Sequence, residues 1–312
     1  MTKRNYWGAE VPNLYEIADD RCIGRYIRNT LRTVLSELKA QSPVQTSKDI
    51  LSLAQQKIPL ERYEQYAHKM LTEKGVNHER VQEALAGRAE IVYRQIRPFI
   101  VGGRILDLGC GDGAIGARLS ADRNEVVLAD TYEHEKIKSR GLEFISMAQG
   151  EPLKDTRDYD TTLLLTVLHH SNNPCQTLKQ AANRTRRGGR IIVIESVYGI
   201  DSSESDPTWS HASREITDAF KKLSPEQQRR TNIFFDHFYN RIIHYSEDEA
   251  KKVNVPFNFR IPYMRMHPSD LLEMGWENIF YNEKLKSIHM EYLGIDQPVV
   301  PEYHTLHVLE KS

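Results

Sequence analysis

The chain has 312 residues, of which 39% are hydrophobic and 27% charged, with a formal net charge of −1 and a pI near 6.9. This is a globular composition, long enough for one large α/β domain with attachments or for two modest domains. It excludes an overall basic field of the kind that gathers nucleic acid or an anionic membrane.

Residues 12 to about 76 read as helices. Ile27, Leu31, Val34, Leu35 and Leu38 recur at helical spacing. Thr46 and Asp49 suggest a capping box ahead of ILSLAQQ. Pro59 suits the first turn of a helix running to Gly75. Asn77 caps a further helix with Val81, Leu85, Val92 and Ile96 on one side, ending near Pro98 and Gly102-Gly103. The rhythm then alternates strand and helix. The apolar runs are Arg104–Leu108, Glu125–Asp130, Leu142–Ser146, Thr161–Leu168 and Arg190–Ser196, and a helix from Pro174 stops at Gly188-Gly189. Runs that are continuous rather than alternating mark strands buried on both faces, so the expected fold is α/β, with a doubly wound parallel sheet and right-handed crossovers. Arg184, Arg186, Arg187 and Arg190 read as a solvated helix end.

Between 200 and about 265 the pattern breaks. SSESDPTWS reads as loop, and Ser224-Pro225-Glu226-Gln227 starts a helix crowded with aromatics, NIFFDHFYNRIIHY. A short helix PSDLLEMG, a strand from Trp276, a loop GIDQPVVPEY and a last strand HTLHVLE follow. An antiparallel hairpin of the final strands completes a seven-stranded sheet. The expected organisation is a helical extension over 1–78, a Rossmann-like core over 79–199, a helical insert after the fifth strand over 200–265, and the end of the core over 266–312. Cys22, Cys110 and Cys175 give no CxxC spacing and no disulfide framework. The opening MTKRNYWGAEVPN lacks the apolar core of a signal peptide, and LLLTVL is too short to span a bilayer. A soluble cytoplasmic protein with no membrane partner is expected.

The densest signal is RILDLGCGDGAIGARL at 104–119. Glycines right after a buried strand let backbone N–H groups and a helix N-terminus approach a ligand at the carboxyl edge of the sheet. Gly111 to Gly116 match GxGxxG, the dinucleotide pattern, with Asp130 at the next strand end for a ribose. The flank argues otherwise: Asp107-Leu108-Gly109-Cys110-Gly111 precedes it, giving DxGxGxG, and a diphosphate would repel a carboxylate at Asp107.

DxGxGxG resembles motif I of the class I S-adenosylmethionine-dependent methyltransferases of small-molecule type. VVLAD, DYDTTLLLTVLHHSNNP, RRGGRIIVIES and HTLHVLEK look like later strands and loops of that family, so that the likeness covers about 80–199 and 265–312. It implies a mostly parallel sheet of order 3-2-1-4-5-7-6, S-adenosyl-L-methionine as cofactor, and methyl transfer to N, O, C or S of a small metabolite, with natural products among the candidates. It implies that Asp107 accepts from the methionine ammonium and that Asp130, with Thr131 beside it, accepts both ribose hydroxyls. Gly109, Cys110, Gly111 and Gly113 give close backbone approach, and the carbonyls of Thr166 and Val167 meet the amino acid end. The family's aspartate after the third strand has no obvious counterpart; Gln149 and Glu151 are the nearest residues for the adenine. His169 and His170 fall near the methyl group as base or substrate orienter.

No NPPY-type sequence follows the fourth strand, which disfavours a flipped nucleobase, and no appended RNA-binding module is evident. Pro174-Cys175 resembles the nucleophile dipeptide of RNA cytosine methyltransferases but stands at a helix start. Phe234, Phe235, Phe238 and Tyr239, with Trp209, fit either an apolar lid over a small substrate or a core or dimer face. A homodimer through the N-terminal helices or the insert is a further reading. His237 and His244, seven apart, share a helical face and with His211 or Asp236 suggest a metal, yet histidines among aromatics read more simply as packing residues, and no metal site is assigned. Tyr245 and Tyr263 are remoter candidates. Rival readings are an RNA or protein methyltransferase, an NAD-type oxidoreductase and a non-catalytic cofactor-binding protein.

Overall fold

A computed structural model of the chain describes residues 14–76, 78–148, 151–168, 171, 173–196, 211–243, 276–295 and 302–312. They fall in two compact units, a helical one within Met1–Gly87, Tyr198–Lys251 and Gly294–Glu302, and a sheet-bearing one within Arg88–Val197, Lys252–Leu293 and Tyr303–Ser312.

The helical unit holds α1 (Leu14–Asp19), α2 (Arg21–Glu37), α3 (Pro43–Ala54), α4 (Leu60–Glu73), the start of α5 (His78–Ile96), α9 (His211–Lys221) and α10 (Pro225–His237), which runs into a π-helix at Phe238–Ile243. The apolar spacing along α2 is a core face: Ile27, Leu31, Val34 and Leu35 are fully buried. Asp20 caps that helix by accepting from the amides of Cys22 and Ile23 at 2.8 and 3.0 Å. The Thr46–Asp49 capping box does not form. α3 starts at Pro43, and the Thr46 hydroxyl bonds back to the carbonyls of Gln41 and Ser42. A proline at the first helical position sets the start four residues earlier, with Ser42 in place of Thr46 as the N-cap residue. Pro59 flanks α4 as its N-cap residue, and Gly75, in the left-handed region at φ 71°, follows its end. Ser224 and Gln227 form the full capping box of α10. Phe234, Phe235 and Phe238 are core rings of this unit: they pack on each other and Phe235 meets Tyr26 edge-on. His237 is also buried there, its Nε2 3.3 Å from the Glu64 carboxylate. Trp209, His244, Tyr245 and Tyr263 lie outside the described residues.

The sheet-bearing unit contains β1 (Arg104–Leu108), α6 (Ala114–Ala121), β2 (Glu125–Asp130), α7 (Glu135–Arg140), β3 (Glu143–Ser146), β4 (Tyr159–Leu165), α8 (Pro174–Arg184), β5 (Thr185–Ser196), α11 (Trp276–Asn282), β6 (Leu285–Ile295) and β7 (Glu302–Lys311). Its seven strands lie in the order β3-β2-β1-β4-β5-β7-β6, parallel from β3 through β5, with β7 antiparallel to β5. This is the α/β sheet expected from the sequence.

Three local readings change. The helix from Pro174 ends at Arg184, and β5 begins at Thr185 and runs through Gly188-Gly189. Arg186, Arg187 and Arg190 are therefore strand residues. Arg186 pairs with Asp160, and Arg190 donates to the Phe99 carbonyl at 3.1 Å. Gly189 has the Asp160 carbonyl 2.8 Å from where a Cβ would stand, so close strand approach replaces the helix stop the glycines suggested. Trp276 opens a helix, and the strand starts at Leu285. Finally, β4 ends at Leu165, not Leu168.

Gly116 sits on α6 where the helix crosses β2; a Cβ there would lie 2.5 Å from Leu128 Cδ2 and 3.3 Å from Val126 Cγ1. Gly116→Ala should therefore destabilise the chain. Overpacking of about 1–3 kcal/mol outweighs a helix-propensity gain of about 0.8–1 kcal/mol, and a lower urea midpoint with unchanged slope is the expected reading.

Candidate cofactor site

The site lies at the carboxyl edge of β1 and β2. Register pairs Asp107 with Leu128 and Leu108 with Ala129, so Asp107 and Asp130 leave neighbouring parallel strands on the same edge. The glycine turn between β1 and α6 hangs on β2: the amides of Gly109 and Cys110 donate to the Ala129 carbonyl at 2.7 and 3.2 Å.

The turn's glycines do different jobs. Gly109, Gly111 and Gly113 all have left-handed backbone, with φ of 83°, 56° and 71°. A Cβ on Gly109 would collide with the methyls of Val167, and one on Gly113 would come 2.9 Å from Leu128 Cδ1. These two are bare because protein side chains press on them. Around Gly111 nothing stands within 4 Å of the Cβ position. There the turn faces open space, and there the backbone meets an acid: Gly111 N–H donates to Asp130 Oδ2 at 2.9 Å.

Asp130 is held as an acceptor. Besides Gly111 it accepts from the Thr131 amide at 2.6 Å and the Thr131 hydroxyl at 3.2 Å. Burial raises its carboxyl above the usual range, and these donors, with the Tyr132 amide, oppose that rise. Asp107 is 2% exposed. Burial pushes it up to about 7, and the charges of Asp130 and Asp112 add to that. Cys110, beside both acids, has its thiol pushed up by burial and by Asp107 and Asp130, so it is no nucleophile at neutral pH.

Two basic residues that sequence reading missed brace the turn. From α7, Arg140 Nη1 donates to the Asp112 carbonyl at 2.5 Å, and Lys136 Nζ lies 3.7 Å from the Asp112 carboxylate. Asp112 Oδ1 in turn accepts from the Ala114 amide at 3.0 Å, at the first turn of α6. The only signal for this brace was a short basic helix after the second strand.

Thr166 follows β4 with φ 58°, an uncommon conformation for a β-branched residue. Val167 brings its side chain against the glycine turn, at Gly109. Glu151 is exposed, and its carbonyl accepts from Gln180 at 2.9 Å. Gln149, His169 and His170 fall outside the described residues.

A family model described as a methyltransferase domain matches residues 77–246, more than half of the chain. The chain belongs to the methyltransferase-domain family. The donor consistent with that membership is S-adenosylmethionine, which the sequence also implied. Over 112 residues the chain is 34% identical to an uncharacterised protein of Methanocaldococcus jannaschii, a match covering 33% of the chain and 52% of that protein. The chain thus spans about half the length of that relative. Among solved structures it is similar to magnesium protoporphyrin IX methyltransferase of Synechocystis PCC 6803, at 13% identity and TM-score 0.40, covering 75% of this chain and 85% of that one. It is also similar to the 1,6-didemethyltoxoflavin-N1-methyltransferase of Burkholderia thailandensis, at 14% identity and TM-score 0.41, covering 82% and 93%.

The donor fits the site on its own terms. A cationic amine suits Asp107, a vicinal diol suits an acceptor such as Asp130, and at Gly111, which bonds Asp130, the turn faces open space. Without a cation, the Asp107 carboxyl is raised above its unfolded value near 3.8, so its contribution to stability is full below about pH 4 and is lost as pH rises to about 7. Asp107→Asn should flatten that fall and stabilise the ligand-free protein at pH 8 by on the order of 4 kcal/mol, read as melting temperature against pH. A wild-type profile that is flat from pH 4 to 8 would contradict the buried acid.

Proposed function

We propose that the chain binds S-adenosylmethionine at the glycine turn and transfers its methyl group to N, O, C or S of a metabolite-sized acceptor. The observation that carries this is the pair of acids, Asp107 and Asp130, at the same edge of adjacent parallel strands, the second bonded to Gly111 where the turn faces open space. The bound sulfonium supplies the electrophilic methyl carbon. The protein's work is positioning, and alignment alone supplies many kcal/mol, since effective molarities reach about 10⁵–10⁸ M. Asp107 takes the ammonium; Asp130, fixed by Gly111 and Thr131, takes the ribose hydroxyls. The main chain at Thr166 and Val167 meets the amino acid end. Glu151 and Gln149 remain assigned to the adenine side, and His169 and His170 to orienting the acceptor or taking its proton where the nucleophile needs one. A small-molecule acceptor is supported by the near-neutral charge of the chain.

Calorimetry with S-adenosylmethionine and NAD side by side separates this reading from an oxidoreductase, and a labelled-methyl screen of metabolite extracts then seeks the acceptor. Asp130→Ala should weaken S-adenosylmethionine binding by about 1.5–3 kcal/mol, roughly 10- to 150-fold. A folded Asp130→Ala protein with wild-type affinity removes Asp130 from the site, and tighter binding of NAD than of the sulfonium removes the reading.

A further inference from the structure

The run RIIVIE, residues 190–195, places a charged side chain after four buried aliphatic ones: Glu195, on β5, is 1% exposed. A carboxylate so placed needs strong hydrogen bonds to offset its lost hydration. One is shown. Glu195 Oε1 accepts from the Leu168 amide at 2.6 Å, a charge-assisted bond within the buried interior.

Its position in the ladder gives the bond its meaning. The β4–β5 pairing ends at Leu165 opposite Ile194, and the last backbone bond runs from the Thr166 amide to the Ile194 carbonyl at 2.7 Å. Two residues later the Glu195 side chain takes the place of the ladder and catches Leu168. The turn Thr166-Val167-Leu168 is therefore tied to β5 at both ends. Thr166 between these ties sits at φ 58°, a conformation unfavourable for a β-branched residue that persists only where its surroundings hold it. Val167, the middle residue, lies against Gly109: a Cβ there would be 2.9 Å from Val167 Cγ1. β5 is fixed from its other side, with Glu195 opposite Thr305 of β7.

We propose that Glu195 is a positioning residue for the cofactor. Its carboxylate holds the strained turn after β4 so that Val167 presses on the glycine turn and the main chain at 166–167 stays in register with the donor's amino acid end. This rests on the cofactor reading given above. Glu195 touches neither donor nor acceptor; it acts through Leu168.

The test is the affinity for S-adenosylhomocysteine by calorimetry, together with hydrogen exchange at the Leu168 amide. Glu195→Gln keeps an acceptor oxygen at the same reach and should bind within about threefold of wild type, with Leu168 still protected. Glu195→Ala should lose both the protection and about tenfold or more in affinity, the scale of a hydrogen bond to a charged group. Glu195→Asp, which keeps the charge but withdraws it by one methylene, should behave like Ala, and it carries the test if the Ala protein does not fold. Wild-type affinity in folded Ala or Asp proteins overturns the proposal. So does a loss in Gln as large as in Ala, which would mark the charge as merely structural. A wild-type chain that does not bind S-adenosylhomocysteine overturns the cofactor reading and this proposal together, whereas binding by wild type with no effect of Glu195 overturns this one alone.

Discussion

Two carboxylates leave adjacent parallel strands at the same edge of the sheet, and among the described residues the groups that set Asp107 are its burial and two further acids, Asp130 and Asp112. In a buried place that arrangement is unfavourable by itself: each acid loses water, and each raises the other's cost of ionising. The rest of the sheet-bearing unit is organised around it. β2 holds the glycine turn through Ala129, the turn returns an amide to Asp130, and Arg140 and Lys136 brace Asp112 on the far side. The charge debt at Asp107 is left open, which is the physical condition for an attractive site for a cationic ligand.

The density of glycine in the loop has two causes. Gly109, Gly113 and Gly116 are bare because Val167 and Leu128 occupy the space a Cβ would need. They close the sheet against α6 and against the turn after β4, and the tight packing keeps the backbone in place. Gly111 is bare on the open side. Three glycines make the platform rigid and one makes it accessible. A rigid platform matters for a displacement reaction, where the rate depends on alignment more than on any general base.

Strain is concentrated where the platform meets the other wall of the site. Thr166 is held left-handed, by the Ile194 carbonyl before it and the Glu195 carboxylate after it. Backbone held this way by its surroundings exposes main-chain carbonyls in directions that a regular strand would not. The same β5 edge is locked by antiparallel β7, so the last strand of the chain supports the middle of the site.

The amino-acid sequence by itself determined the strand–helix alternation, the sheet order that the resemblance implied, the acid at each of two strand ends, and the capping box of α10, because continuous apolar runs, glycine spacing and Ser-Pro-Glu-Gln are local signals. It misjudged the Arg184–Arg190 run, Trp276, Thr46 and the end of β4, because there a neighbouring strand or a preceding proline overrides local preference. Only the tertiary structure sorted the glycines into packed and open, turned the phenylalanines of α10 into a core, raised Asp107 and gave Glu195 a partner. Those properties belong to distances between residues far apart in the chain, and burial, the quantity that decides them, is absent from any single stretch of it.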